Sequence, residues 1–337
     1  MSVMASELVS VVIPLYNKEL HIAATLESII AQDYDNIEII VVDDASNDSS
    51  HEISERILSR SNRKFRVITH NVNRGKSVAR NTGLEASYGK YVWFCDADDL
   101  ARRNLVSSLV AVAQKYDSDI SFGGYTKHFE NGVADEQELI TIDDPQPLNN
   151  EQALYMRMVN KVAPHLCTTM FRRSMIEKYN LRYYEGCTAF QDVEFQLKAF
   201  CHAEKVSYVK DSLYVYVHSN EMGAVRENNT NDKDLRKYID STDAHYRAAE
   251  YISKHTKSER VKFIADNMLI PEAVIRRFTI CAKANDREKF YLLLKDATTR
   301  NILRTSRRVL FINPEIYMKA LMILYMPDLY FKLRKKG

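Results

Sequence analysis

Tyr91-Val-Trp-Phe-Cys-Asp-Ala-Asp-Asp99 is an apolar run that stops abruptly at three carboxylates within four positions. Such a run predicts a buried strand, and the Asp residues predict a loop after it. The same pattern recurs toward the start of the chain. Val9-Ser-Val-Val-Ile-Pro14, Ile37 to Asp43 and Phe65 to His70 are further strand candidates. Between them, His21 to Gln32 places Ile22, Leu26, Ile29 and Ile30 on one helical face. Ser49 to Glu52 has the form of a capping box opening a second helix, and Gly75 to Ser87 predicts a third. Leu105 to Tyr116 then predicts a helix and Asp119 to Gly124 a strand. Alternating apolar strands and helices imply the α/β class, with a parallel sheet covered on both faces.

Ligands of such sheets bind beyond the carboxyl ends of the strands. Tyr16-Asn17, Asp43-Asp44 and Asp96 to Asp99 all fall there. Three crowded carboxylates repel one another unless a cation or a basic partner is present, and carboxylate oxygens suit Mg²⁺ or Mn²⁺. A solvated helix N-cap is the competing explanation of the cluster. At Asp43-Asp44, one carboxylate can bind a base or ribose while the other caps the loop. Gly75, with Arg74, Lys76 and Arg80 nearby, places a helix start and basic charge where a phosphate would be favoured. Asp192 opens a predicted helix to Cys201, as an N-cap or as a general base for an acceptor hydroxyl. His218, after the strand expected at Leu213 to Val217, is a surface or core histidine or an additional metal or phosphate contact.

The remaining chain is less explicit. Asn131 to Asn150 predicts a polar connector, Glu151 to about Val217 a mixed segment, and the chain beyond Asp234 a helical region. The 47 basic and 45 acidic residues leave a net charge of +2, which gives no indication of nucleic-acid binding. Residues 301–337, however, hold eight Lys/Arg against Glu315 and Asp328, a local +6 that leaves −4 elsewhere. Basic clusters there flank the apolar stretch Ile316 to Met326, a pattern suited to a membrane interface or to a helix packing on the catalytic domain or a dimer partner. Five cysteines without a CxxC pair predict reduced thiols and a cytoplasmic protein. Neither a signal peptide nor an apolar run long enough to span a bilayer is expected. There is no GxSxG, HExxH or Walker motif, and no GxGxxG follows the first strand.

Six segments together carry a resemblance. Val11-Val-Ile-Pro-Leu-Tyr-Asn17, Ile40-Val-Val-Asp-Asp-Ala-Ser46, Asn73-Arg-Gly75, Ala79-Arg-Asn-Thr-Gly83, Cys95-Asp-Ala-Asp-Asp99 and Phe190-Gln-Asp192 resemble, in this order and spacing, the inverting family-2 glycosyltransferases of the GT-A fold, particularly those of bacterial cell-surface polysaccharides. The match is clearest over residues 9–124. The resemblance implies a Rossmann-like, mostly parallel sheet flanked by helices, with a nucleotide-sugar half at 1–125, an acceptor half at 126–229 and a helical region at 230–337. It places Pro14, Tyr16, Asp43, Asp44 and Arg80 about the nucleotide, and Asp96 at the ribose or donor sugar. Asp98 would belong to a metal-binding DXD motif, assisted by Asp99 and with His218 as an added ligand, holding Mn²⁺ or Mg²⁺. Asp192 would be the base. Two departures stand out: Gln191 replaces the common Glu, and Ala45 replaces the commoner Gly of Asp-Asp-Gly-Ser.

The implied activity is hexosyl transfer from a nucleoside-diphosphate sugar, with UDP favoured, to a hydroxyl of a glycan or lipid-linked glycan. Peripheral membrane contact through residues 301–337, at the inner face of the cell membrane, would accompany it, and homo-oligomerisation is left open. A transferase acting on a polyprenyl phosphate and a non-catalytic nucleotide-binding scaffold are the alternatives.

Overall fold

A computed structural model describes residues 6–129, 136–138, 140, 142–143, 146–159, 164–218 and 232–335. Two compact units are present. The first comprises Met1–Ala153, Val162–Gly186 and His202–Glu227; the second comprises Leu154–Lys161, Cys187–Cys201 and Asn228–Gly337.

The first unit opens with β1 (Val9–Leu15), α1 (Ile22–Ile30), β2 (Ile37–Asp43), α2 (Ser50–Leu58), β3 (Lys64–Thr69), α3 (Lys76–Glu85) and β4 (Tyr91–Phe94). It continues through β5 (Leu100–Ala101), α4 (Leu105–Tyr116), β6 (Ile120–Phe129), β7 (Glu136–Glu138), α5 (Asn150–Met158), β8 (Thr169–Arg172) and α6 (Arg173–Lys178). Beyond α7 (Gln191–His202), β9 (Val206–His218) returns to the sheet. The strand order is β3-β2-β1-β4-β8-β6-β9-β5, with β7 beside β6. The first four strands of that order pair in parallel. Next comes β8, antiparallel to both β4 and β6, while β6 and β9 are parallel. The α/β expectation thus holds, with a parallel block followed by a mixed one.

Every residue of β1 and β2 is buried, which explains why both are largely apolar; the polar interior positions pair across the two strands, Ser10 Oγ donating to Glu38 Oε1. Ile22, Leu26 and Ile29 of α1 join Val11, Ile13, Ile39, Trp93 and Leu109 in one core. α3 crosses close to β1: a Cβ on Gly83 would lie 2.3 Å from Val12 Cγ1, so the packing requires a glycine there. Pro14 in an interior strand would ordinarily cost a ladder bond. Here Val12 O accepts from Cys95 N at 3.0 Å and Leu15 O from Asp44 N at 2.8 Å, so even positions of β1 face β4 and odd ones face β2. Pairing with β4 ends at Val12. The missing Pro14 N–H therefore points to the side that β4 has already left, at the topological switch between β1 and β4.

Two local expectations are revised. The Ser49 hydroxyl caps nothing. Instead Ser49 N donates to Glu19 Oε2 at 3.0 Å, and Asp48 Oδ1 accepts from Ser50 N at 3.0 Å. Tertiary partners have displaced the capping box. β9 begins at Val206 rather than near Leu213, because pairing with β6 recruits a segment with no continuous apolar run. Much of the expected connector at 131–150 falls outside the described residues; Leu148 within it bridges to Val206.

The second unit holds α7 and, after β9, α8 (Asp232–His255), α9 (Glu259–Ile264), α10 (Ile270–Lys283), α11 (Arg287–Lys295), α12 (Ala297–Thr305), α13 (Pro314–Tyr325) and α14 (Pro327–Lys335). Four-residue spacing puts Ala244, Ala248 and Ile252 on the buried face of α8. Ser258, Asp286, Asp296 and Asn313 each accept from the backbone N–H three residues on, capping α9, α11, α12 and α13. All five cysteines are free and buried. Among the described residues, no helix is long and apolar enough to cross a membrane.

Candidate active site

The strand ends of β1, β2 and β4 deliver the polar residues singled out by sequence. Asp43 closes β2 and Asp44 follows it; both are buried. Asp43 Oδ1 accepts from Ser46 N at 3.1 Å, capping its own loop. Asp44 Oδ1 accepts from Arg74 N at 2.9 Å and Oδ2 from Gly75 N at 2.7 Å, while His70 Nδ1 lies 2.7 Å from Oδ1. Asp44 therefore fixes the start of α3. Gly75, at φ 90°, caps that helix in a conformation that favours glycine. Ala45 is also left-handed, at φ 60°, so an alanine occupies a turn where glycine would be less strained. Tyr16 is exposed, Pro14 is buried, and Asn17 Oδ1 accepts from Asn47 N at 2.8 Å, tying the two rim loops together.

The carboxylate cluster after β4 resolves its repulsion in three different ways. Asp96 is paired with Lys76 Nζ at 2.7 Å and Arg80 Nη2 at 2.8 Å. Burial pushes its pKa up, but these two cations outweigh it and hold the carboxyl far below the usual range. Asp99 is fully buried and accepts from Tyr214 OH at 3.0 Å and Val217 N at 2.9 Å. Burial, then the charges of Asp96 and Asp98, drive its pKa well above the ordinary value. Asp98 is the accessible member, with a side chain 24% exposed and Lys18 Nζ 2.7 Å away.

These environments decide which group suits a metal. Atoms of Asp96, Asp99 and Cys167 lie within 4.8 Å of one another. However, Asp96 is committed to two cations, Asp99 accepts two internal hydrogen bonds, and burial raises the Cys167 thiol. Asp98 fits a divalent ion better: it is the most accessible carboxylate of the cluster and has one cationic partner where Asp96 has two. His218 ends β9, where its backbone pairs with Phe129, and its side chain lies outside the described residues.

Three neighbours, Lys18, His70 and Tyr214, are not singled out by the sequence, and Lys76, expected only as basic charge near Gly75, pairs with Asp96. Lys76 and Arg80 share a face through their i, i+4 spacing, whereas Lys18 and Tyr214 meet the cluster only through the fold. Asn81, within the Ala79–Gly83 segment, grips the Tyr183 backbone twice, at 2.9 Å to its O and 2.9 Å from its N. The Tyr183 ring lies beneath the Arg80 guanidinium, 5.2 Å from its centroid.

The second unit carries Asp192 in the first turn of α7. Phe190, just before it, has φ 62°, a strained value for a bulky residue, and lies against His245 and Arg276. Gln191 is 8% exposed and its Oε1 has no hydrogen-bond partner among the described residues. Half-buried Asp192 has neither a hydrogen bond nor an ion pair among them. By contrast, Glu194 two positions further on is gripped by Lys198 and Arg247. Phe190 is strained and the buried Gln191 Oε1 is unpaired among the described residues, so the turn that opens α7 departs from ordinary packing at two successive residues.

This architecture is an α/β sheet with an acidic, cation-lined rim at its switch point, the place where such sheets take ligands. The chain belongs to glycosyl transferase family 2, whose model matches residues 10–180. It is 31% identical over 217 residues to glycosyltransferase GlyG of Streptococcus pneumoniae, a match covering 63% of this chain and 71% of GlyG. Two further curated relatives are spanned over 60% and 61% of their length. The fold resembles Staphylococcus aureus TarS 1-349 in complex with UDP-GlcNAc, with TM-score 0.65, 20% identity, and 97% and 88% of the two chains covered. It also resembles the mannosyltransferase PcManGT of Pyrobaculum calidifontis in complex with GDP-Man and Mn²⁺, with TM-score 0.55, 17% identity, and 98% and 87% covered.

Proposed function

We propose that this family-2 enzyme transfers a hexose with inversion from a UDP-sugar to a hydroxyl of a glycan or lipid-linked glycan, in assembly of a surface polysaccharide or related glycoconjugate. The observation that carries the reading is the open Asp98 carboxylate beside an Asp96 fixed by Lys76 and Arg80, on the rim where α/β sheets take nucleotides. In this reading residues 1–125 bind the donor, residues 126–229 the acceptor, and 230–337 form a helical region. Tyr16, Pro14 and the Asp43-Asp44 loop flank the base. Lys76 and Arg80 supply positive charge toward the diphosphate, and Asp96 orients ribose or sugar. Asp98 would hold Mn²⁺ or Mg²⁺, with Asp99 supporting the loop and His218 as a further ligand. The ion would stabilise charge on the departing nucleoside diphosphate. Asp192 removes the proton from the acceptor hydroxyl as its oxygen attacks the anomeric carbon opposite the leaving group. One displacement inverts the configuration.

UDP-GlcNAc in TarS and Mn²⁺ in PcManGT support a nucleotide-sugar donor and a divalent ion here. Cytoplasmic action at the inner membrane face suits an acceptor carried on lipid. The decisive experiment screens UDP- and GDP-sugars for Mn²⁺-dependent donor hydrolysis or transfer, with EDTA as the control. Turnover of one donor, lost with EDTA, is expected; absence of nucleotide-sugar binding across the panel overturns the reading in favour of a scaffold.

A further inference from the structure

The second unit leaves an unusual surface on its last two helices. Of the sixteen large hydrophobic residues exposed in the described chain, seven lie between Phe311 and Leu333. Phe311 is 97% exposed and Tyr325 71%, although single exposed apolar residues elsewhere are ordinary. Their spacing separates them from the core. In α13, Ile316, Ala320 and Ile323 are buried, whereas Met318 and Tyr325, seven residues apart, share the outer face. In α14, Tyr330 and Phe331 are buried while Leu329 and Leu333, four apart, face outward, with Met326 at the junction. Each helix is therefore apolar on two sides: one packs, the other meets no protein among the described residues.

Charge identifies what covers it. Exposed Arg304, Arg307, Lys332 and Lys335 accompany the apolar stripe, in a segment of net charge +6. Arg304, Arg307 and Lys335 have no ion-pair partner among the described residues. A second copy would bring the same positive charge to the contact and be repelled. A bilayer with anionic headgroups accepts both features, the apolar side chains entering the acyl boundary and the basic ones meeting phosphate.

We infer that Phe311, Met318, Tyr325, Met326, Leu329 and Leu333 form a docking surface for an anionic membrane. The surface does not depend on the donor reaction, and the two are tested separately.

The full-length protein is floated with vesicles of phosphatidylcholine alone or mixed with phosphatidylglycerol, at low and high salt. Binding to the mixed vesicles is expected, falling with salt as screening grows. Leu329→Glu/Leu333→Glu should weaken it about tenfold or more. Arg304→Gln/Arg307→Gln/Lys335→Gln should weaken it and flatten its salt dependence. Thermal melting and UDP binding, unchanged in both variants, would show that the fold and the donor rim are intact. Mixed-vesicle binding that is absent, or equal in all three proteins, overturns the surface. So does concentration-dependent self-association abolished by the Leu changes without any vesicle binding, which would make the partner a second copy.

Discussion

Lys18 Nζ lies 2.7 Å from Asp98 Oδ2, so the most accessible carboxylate of the acidic cluster is already occupied by a cation of the protein itself. A divalent ion approaching Asp98 must displace that ammonium. Lys18→Met should therefore tighten Mn²⁺ binding severalfold in the absence of nucleotide, as measured by electron paramagnetic resonance of free Mn²⁺. Unchanged or weaker affinity would show that Lys18 does not compete. If the displaced ammonium turns to the diphosphate, the same variant should weaken UDP binding, and the coupling between metal and nucleotide should shrink.

Asp96 balances two cations, one of them the buried Arg80. Asp96→Asn would remove the carboxylate that pairs with this buried guanidinium. A loss of roughly 3 kcal/mol is expected in urea unfolding. A loss below about 1 kcal/mol would mean that Arg80 readily finds another partner.

With Asp192 as the proposed base for the acceptor, Asp192→Asn should abolish transfer while leaving UDP-sugar affinity close to wild type. Single-turnover rates and donor titration separate the two effects. Near-normal turnover would remove Asp192 from the role of base.

Ala45 occupies a left-handed turn. Ala45→Gly should stabilise the protein by about 0.5–1 kcal/mol, the relief of strain exceeding the entropy lost by the freer unfolded chain. Destabilisation in thermal or urea unfolding would show that the alanine is not strained.

His245 is buried, and burial lowers its pKa, aided by Arg276 and Arg157 and opposed by the Ser241 carbonyl and Glu272. The folded protein therefore holds it neutral at pH values where the unfolded chain takes up a proton. Stability contributed by this residue is present above the ordinary histidine value near pH 6.5 and is lost as pH falls below it, at up to about 1.4 kcal/mol per pH unit. His245→Gln should flatten that slope in urea unfolding measured from pH 7.5 to pH 5.5; an unaltered slope would assign it to other groups.

The parallel block was legible because its code is local. Seven consecutive buried positions in β1 and in β2 favour apolar residues, and the change to Tyr16-Asn17 after β1 and to Asp43-Asp44 at the end of β2 marks the rim. The roles of individual carboxylates were not legible to the same degree. Asp43, Asp44, Asp96, Asp98 and Asp99 look alike in sequence, yet one caps a loop, one ties down a helix start and one sits within a fully buried hydrogen-bond network. Asp43 caps through Ser46, three residues on, but the other two roles come from partners 30 to 118 residues away, such as Arg74 and Val217. The early part of β9 was hidden for a similar reason: its strand character comes from β6.

The Asp44 grip on the amides of Arg74 and Gly75 has a mechanical consequence. α3 begins at the next residue and carries Lys76 and Arg80 to Asp96. The loop after β2 and the loop after β4 are thereby linked through one short helix and behave as a single rigid jig. A ligand spanning both, as proposed for the donor, would not have to assemble them, because their ordering entropy is spent during folding.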